Sequence, residues 1–156
     1  MSTDWIRSRA ALACAVAAFL LVSGTARASC TISVSSGVGF GTYDVFSTTP
    51  NDSTGSVLLK CAPPYTATVI VSMTRGASAS FIPRTMKKGA DSLEYNLYGD
   101  AAHTLTWGDG TSGTVQCYVT YTGTFQLSIP VYGRIAAGQD VAAGSYADTI
   151  TVAVNY

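Results

Sequence analysis

The feature that most constrains the fold is a strict alternation of apolar and polar residues in short segments. It is clearest in the run Ala147–Tyr156, where every second residue from Ile150 onward is apolar: Ile150, Val152, Val154 and Tyr156. Successive side chains of a β-strand point to opposite faces, so a period of two predicts a strand with one buried face. No closing partner strand follows this run, and we expect its edge to be open for pairing with another polypeptide.

Similar alternation predicts further strands upstream, separated by stretches rich in Gly, Pro, Ser and Asp. These strands are Thr31–Phe40, Tyr43–Phe46, Ser56–Cys61, Tyr65–Met73, Leu93–Tyr98 and Phe125–Tyr132, with a polar loop at Ser47–Gly55. Pro130 cannot donate to a ladder, which predicts an edge position or a bulge there. Many short strands of this kind are typical of an all-β sandwich.

The N-terminal 28 residues have the three parts of a secretory signal. Arg7 and Arg9 precede an apolar run at 10–22, and Ala26–Ala28 provides an A-x-A cleavage motif. We expect cleavage before Ser29, which leaves 29–156 as one exported domain. An uncleaved N-terminal anchor is the alternative, although the run is shorter than the about 20 residues that a transmembrane helix needs.

The charge balance of the mature chain argues against nucleic-acid binding. The signal removes three of the nine basic residues (Arg7, Arg9, Arg27) and one of the nine acidic residues (Asp4), which leaves a net charge of −2. No basic run remains that could neutralise phosphates, so we expect no nucleic-acid partner.

Three cysteines follow the signal: Cys30, Cys61 and Cys117. In an oxidising compartment an odd number predicts one disulfide with one unpaired thiol, or an intermolecular bond. We expect Cys30 to pair with Cys61, because each flanks a strand-like segment and closing that loop would constrain the unfolded chain by about 3–4 kcal/mol. Cys117 is then either a buried free thiol or a redox or intermolecular site.

Residues that could support catalysis or metal binding are few. His103 is the only histidine, which excludes a multi-histidine metal site and leaves a hydrolytic trio with Asp100 without support. A solvated loop histidine is the simpler interpretation. The pair Asp109–Gly110 is interpreted as a hairpin turn rather than a calcium loop. We therefore expect no enzyme activity, no metal and no cofactor.

The nine tyrosines are numerous enough to form a carbohydrate-binding face. We expect Tyr95 and Tyr156 to lie in the core and Tyr98, Tyr118 and Tyr121 to be exposed.

Several spaced motifs resemble the spore coat protein U domain. In chain order they are Phe40–Asp44 (F-G-T-Y-D), Leu93–Asp100 (L-E-Y-N-L-Y-G-D), Thr106–Thr111 (T-W-G-D-G-T), Val131–Arg134 (V-Y-G-R), Ala137–Gln139 (A-G-Q), Ala143–Tyr146 (A-G-S-Y), Asp148–Thr149 and Tyr156. The motifs lie in the family's order and span nearly all of 30–156, so the resemblance is more specific than a single short pattern.

The resemblance implies an incomplete immunoglobulin-like β-sandwich that lacks its final strand, as in subunits of archaic, Csu-type chaperone–usher pili. Donor-strand complementation completes such a fold, because a periplasmic chaperone and then a sibling subunit supply the missing strand. The implied partners are that chaperone, an outer-membrane usher, sibling subunits, and an abiotic surface or host receptor. Four residues would line the strand-acceptor groove and contact the chaperone: Ile150, Val152, Val154 and Tyr156.

One departure from the family pattern bears on the position in a fibre. Shaft subunits carry a donor segment before the first cysteine, whereas only Ser29 would precede Cys30 after cleavage. We therefore expect a terminal, tip-type subunit that accepts a strand without donating one, exported to the periplasm and displayed on the cell surface in attachment and biofilm formation. A spore-coat or other secreted matrix protein is the alternative, and a secreted hydrolase is a remote one.

Overall fold

The computed structural model describes residues 29–62 and 66–156, so the signal expected at 1–28 lies outside the described residues. The described chain forms eight strands and no helix: β1 (Ser29–Ser36), β2 (Asn51–Ala62), β3 (Thr66–Met73), β4 (Arg84–Lys88), β5 (Asp91–Tyr98), β6 (Cys117–Thr122), β7 (Phe125–Ile135) and β8 (Val152–Asn155). None of it is a helix long and apolar enough to cross a membrane. The all-β prediction is confirmed.

The strands form two antiparallel sheets, ordered β1-β2-β7-β5-β4 and β6-β3-β8. Alternate side chains of both sheets share one apolar core, which is the arrangement that buries one face of each sheet. The best-buried members come from β2, β3 and β7 and from the loop after β5: Leu59, Val69, Val71, Ile135 and Trp107.

A disulfide joins the first strand to the end of the second. Cys30 and Cys61 lie opposite each other in the β1–β2 ladder and their sulfur atoms are bonded. Both residues are buried, so the bridge belongs to the core and covalently fixes the outer strand of the first sheet.

The structure corrects the expected start of β2. This strand begins at Asn51, inside the stretch 47–55 that the sequence predicts to be a loop, and Asn51–Gly55 pairs with Val131–Ile135 of β7. The inward residues of this stretch are Asn51, Ser53 and Gly55. Because none of them is a large apolar residue, the sequence does not show the apolar–polar alternation of a strand here. They are polar or small because the segment after β1 passes directly over them, as described below.

Other boundaries also differ from the sequence prediction. Residues 43–46 do not form a strand, because 44–47 is a turn: the Ser47 amide donates to the carbonyl oxygen of Asp44, and the Phe46 amide donates to the Asp44 side chain. The last strand is four residues long, since Ala147 pairs with Lys87 of β4 and Asp148 binds the amide of Ala77 instead of β3. Two strands, β4 and β6, are absent from the prediction. Charged residues dominate β4, whereas β6 has the alternation of a strand, with Cys117, Val119 and Tyr121 facing inward, and was overlooked.

Pro130 lies in β7, the middle strand of the first sheet, and faces Ser56 of β2. On its other side, β5 pairs with β7 through residues 132–134, beyond Pro130. The prediction of an edge strand is therefore wrong for β7 as a whole. The missing N–H of Pro130 is nevertheless tolerated, because at this position β7 is paired only with β2.

Candidate functional site

Two strand edges remain unpaired on one side of the sandwich. Within the described residues, β1 pairs with β2 through one edge and β8 pairs with β3 through one edge, and neither has a partner at its outer edge. The two strands contact each other across the sheets. Unpaired edges present rows of free N–H and C=O groups, which favour pairing with another strand.

An apolar groove of about 1190 Å³ opens where β1 ends and β8 begins, and it is lined by Val34 and Ser36 of β1 and by Val152 of β8. Residues of both sheets form its floor: Val57, Met73, Met86, Leu93, Tyr95, Leu97, Val131 and Ile135. All of them also belong to the apolar core. The groove is therefore an opening into the core rather than a pocket on top of it.

One rim of the groove is the segment 34–46, which leaves β1 and runs over the inner face of β2. Asn51 Nδ2 donates to the carbonyl oxygens of Phe40 and Thr42, each at 3.1 Å, and Ser53 Oγ donates to that of Gly39 at 2.7 Å. These side chains replace a strand ladder as the attachment of the rim.

Gly133 of β7 provides the space under this rim. A Cβ atom built at Gly133 would lie 2.5 Å from Val38 Cγ1 and 2.8 Å from Phe40 Cζ. Only glycine allows such a close approach, so Val38 and Phe40 pack directly on the β7 backbone.

Tyr43 joins the first rim to the segment after β7. Its hydroxyl donates to the carbonyl oxygen of Ala136 and accepts from the amide of Gln139, both at 2.9 Å. The Gln139 side chain in turn bonds to the backbone N–H and C=O of Glu94 in β5, both at 2.8 Å. This side chain thus occupies a backbone pairing position beside β5.

The second rim, 141–152, is held by side chains of β4 and β5. Lys88 Nζ donates to the carbonyl oxygen of Ala143 at 2.8 Å and lies over the ring of Tyr146. The hydroxyl of Tyr95 donates to Asp148 Oδ2 at 2.7 Å. Burial, supported by this hydrogen bond, raises the pKa of Tyr95 far above its ordinary value, so the hydroxyl stays a donor.

The chemistry of the groove suits an apolar peptide better than a small polar ligand. Its charged lining residues are Asp44 and Asp148, without any Lys, Arg or His. Asp148 already accepts hydrogen bonds from Tyr95 and from the amides of Ala77 and Thr149. The groove can therefore take up aliphatic side chains, while the unpaired strand edges can bond to a backbone.

The predicted groove residues fall into two groups. Ile150 and Val152 line the groove. Val154 packs against the core but lies outside the lining, and Tyr156 is 60% exposed. The prediction of a core position for Tyr156 is wrong, because β8 ends at Asn155 and Tyr156 lies beyond its ladder.

Cys117 is a free, half-buried thiol on β6, opposite Val71 of β3. Burial raises the pKa of Cys117, which disfavours the reactive thiolate. It does not line the groove.

Two aromatic side chains expected in solvent are buried instead. Tyr121 is 5% exposed, stacks on Phe125 at 4.7 Å and places its hydroxyl 3.7 Å from Cys30 Sγ. The His103 side chain is 8% exposed and lies edge-on to Tyr98 and Tyr132, with ring centroids 5.1 and 6.3 Å away. Tyr118 is 64% exposed, as predicted, and Tyr95 is in the core.

The described residues contain no group of three or more His, Cys, Asp or Glu side chains that could hold a metal ion. Asp109 lies in a loop that returns to pair Trp107 with Val115 rather than in a two-residue hairpin turn. Its Oδ1 accepts from the amide and the hydroxyl of Thr111 at 2.9 and 2.6 Å. The carboxylate is thus used to shape its own loop.

The family motifs were recognisable in the sequence, but their structural role in the groove was not. Four residues of these motifs make hydrogen bonds that hold the rims of the groove: Tyr43, Gln139, Tyr146 and Asp148. Asn51 and Ser53 lay outside the motifs. Polar residues at inward strand positions were the available signal, because such positions need a hydrogen-bond partner.

Comparison with known proteins agrees with this architecture. The family model of the Spore Coat Protein U domain matches residues 16–153. Among curated proteins, Protein U of Myxococcus xanthus is 32% identical over 140 residues, which cover 80% of this chain and 76% of that protein.

A solved structure is also similar in fold. It is the CsuC–CsuE chaperone–tip adhesion subunit pre-assembly complex from the archaic chaperone–usher Csu pili of Acinetobacter baumannii, with a TM-score of 0.55 and 23% sequence identity. The match covers 83% of this chain and 40% of that chain, so this chain spans about two-fifths of the solved one. With most of its length matched by the family model, the chain belongs to the Spore Coat Protein U domain family.

Proposed function

We propose that the protein is an exported structural subunit of a chaperone–usher pilus, and that its groove accepts a β-strand from a partner polypeptide. The observation that carries the proposal is the apolar groove, whose floor is the core of the sandwich and which lies beside the unpaired edges of β1 and β8. The similarity in fold to a Csu pilus complex supports it.

An extended strand would satisfy both chemical requirements of the groove. The free edges of β1 and β8 need backbone donors and acceptors, which an extended peptide supplies along its whole length. The apolar floor needs aliphatic side chains, which every second residue of a strand can deliver. An exposed groove of this kind would favour aggregation of the isolated subunit, and a chaperone strand would prevent it.

The test is to export the chain with and without a candidate pilus chaperone and to compare Val152→Asp with Ala153→Asp. Val152 lines the groove, whereas Ala153 is exposed on the same strand. We expect a one-to-one complex with the chaperone for the natural chain and for Ala153→Asp, and loss of the complex for Val152→Asp. A stable soluble monomer without any chaperone, or equal capture of both variants, would contradict the proposal.

We also propose a terminal, tip-type position and a role in surface attachment and biofilm formation. If cleavage falls before Ser29, the mature chain would accept a strand without having one to donate. The expected partners are then the chaperone, the usher and one sibling subunit, with a surface or receptor at the free end. N-terminal sequencing of the exported protein tests this step, since cleavage well upstream of Ala28 would leave a possible donor segment.

A coat or secreted matrix protein is the second candidate, and the 32% identity to Protein U favours it. Such a protein would form a layer instead of a fibre. Immunogold labelling of intact cells distinguishes the two, because a pilus subunit would mark filaments that vanish when a neighbouring usher gene is deleted, whereas a coat protein would mark the surface evenly.

A further inference from the structure

The most unusual buried group in the molecule is the guanidinium of Arg84 on β4. Its side chain is 0% exposed. No carboxylate of the described chain lies within 4 Å of its nitrogen atoms, since the ion pairs there involve other residues. A buried cation with no carboxylate in contact is costly unless its donors are satisfied, so the hydrogen bonds of Arg84 indicate its structural role.

The guanidinium binds three separate parts of the chain. Nε and Nη2 both donate to the carbonyl oxygen of Thr74, at 3.3 and 3.0 Å. Nη2 also donates to the carbonyl oxygen of Trp107 at 2.6 Å, and Nη1 donates to Asn96 Oδ1 at 2.8 Å. Arg84 therefore links β4, an outer strand of the first sheet, to the end of β3 in the second sheet.

Thr74 in turn forms hydrogen bonds with Thr151, the residue before β8. Its amide donates to the carbonyl oxygen of Thr151 at 2.9 Å, and its Oγ1 accepts from the Thr151 amide at 3.0 Å. This pair continues the ladder in which Met73 faces Val152. The β3–β8 ladder has four residue pairs. The Thr74–Thr151 pair, which Arg84 holds through the Thr74 carbonyl, is therefore a large part of the attachment of β8.

We propose that Arg84 is a positioning residue for the groove: through Thr74 and Thr151 it fixes the β8 wall against the first sheet. The placement of β8 is a property of the isolated chain, while the consequence for strand capture rests on the proposed function. Loss of the guanidinium should loosen β8 while leaving β6, on the other side of β3, in place.

Amide hydrogen exchange on the dilute full chain tests the proposal without any partner. The variants are Arg84→Gln and Arg84→Lys, with Arg134→Gln as a control that removes an arginine from the opposite, outward face of the first sheet. We expect exchange at Thr151, Ala153 and Asn155, whose amides face the β3 side, to accelerate at least about tenfold more in Arg84→Gln than exchange at the β6 amides that face β3, with partial rescue in Arg84→Lys and no such difference in Arg134→Gln. Alkylation of Cys117, a natural reporter on β6, should keep its rate.

Thr74→Val covers the case in which the Arg84 variants do not accumulate. It keeps the guanidinium and its carbonyl acceptor but removes the Oγ1 that accepts from Thr151, so faster exchange at Thr151, Ala153 and Asn155 is again expected, by a smaller factor. Equal acceleration of β6 and β8 in Arg84→Gln would show a general structural role and overturn the proposal. Unchanged exchange of β8 in Thr74→Val would overturn it as well.

Discussion

At the scale of single residues, Asp52 and Arg134 form the best-defined ion pair of the outer sheet face. They are opposite each other in the β2–β7 ladder, and the guanidinium binds the carboxylate at two points, Nε to Oδ1 and Nη2 to Oδ2, each at 2.7 Å. The hydrogen bond from Arg134 lowers the pKa of Asp52 below its ordinary value of 3.8, against a weaker opposing effect of burial. The pair therefore stabilises the fold only while Asp52 is ionised.

This gives a pH-dependent prediction for Asp52→Asn. Because the folded-state pKa is depressed, the stabilisation is present above the unfolded value near 3.8 and is lost as the pH falls through the folded-state pKa. We expect the variant to lose up to about 1 kcal/mol at pH 7, since the pair is partly exposed, and the difference to shrink below pH 3.8. Denaturant unfolding at several pH values measures it, with exposed Asp140→Asn as the control. A loss that does not change with pH would contradict the explanation.

Residue-scale prediction from sequence succeeded where the environment is set by nearby positions in the chain. Tyr95 and Tyr118 follow strand alternation and lie where it puts them. Tyr121 follows the same alternation, since it shares the inward face of β6 with Cys117 and Val119, and only the absence of β6 from the prediction left it in solvent. His103 lies in a loop, and its burial depends on a distant element, because β7 supplies Tyr132 beside it. Alternation carries no information about such neighbours.

At the scale of elements, the first rim of the groove depends on the absence of a side chain at Gly133. A Cβ there would meet Val38 and Phe40 at 2.5 and 2.8 Å. We predict that Gly133→Ala lowers the free energy of unfolding by about 1–3 kcal/mol, the range for an overpacked core, and displaces residues 37–43. Denaturant unfolding and hydrogen exchange of that segment measure the two effects.

Gly99→Ala is the matched control, because a Cβ at Gly99 meets no atom within 4 Å. It should change the unfolding free energy by less than about 0.5 kcal/mol. Equal losses in the two variants would mean that chain flexibility, rather than contact with the rim, explains the requirement for glycine.

Element prediction succeeded for β3, β5 and β7, whose inward residues are apolar, but it missed β6, although the inward residues of β6 are apolar as well. It failed at the start of β2, where the inward residues bind the rim, and at β4, where Arg84 occupies an inward position. In both places a tertiary hydrogen bond replaces apolar burial, so the residue pattern that identifies a strand is missing. The groove itself could be expected from the family resemblance, but the hydrogen bonds that hold its rims could not.

At the scale of the whole molecule, the proposed terminal position makes a prediction about assembly. If the mature chain begins at Ser29, refolding it at high concentration should give no fibres, since it has a groove but no donor strand. Placing the donor segment of a sibling subunit before Cys30 should convert it into a polymerising subunit, as seen by electron microscopy. A scrambled segment of the same composition is the control, because it lacks the alternation that fits the groove. Rod-like polymers of the unmodified chain would contradict the terminal position.

The Cys30–Cys61 bridge has a mechanical consequence. A pulling force applied on the N-terminal side of Cys30 passes through the sulfur–sulfur bond to Cys61 near the end of β2, so residues 31–60, which include most of β1, the first rim and most of β2, carry no tension along the backbone. The bridge spans a sequence separation of 31, a stretch that would extend to roughly 100–110 Å if it were released. In single-molecule force spectroscopy, adding a reductant should lengthen the extended chain by about that amount. The oxidised subunit would therefore keep residues 31–60 out of the extended chain for as long as the bridge stays intact.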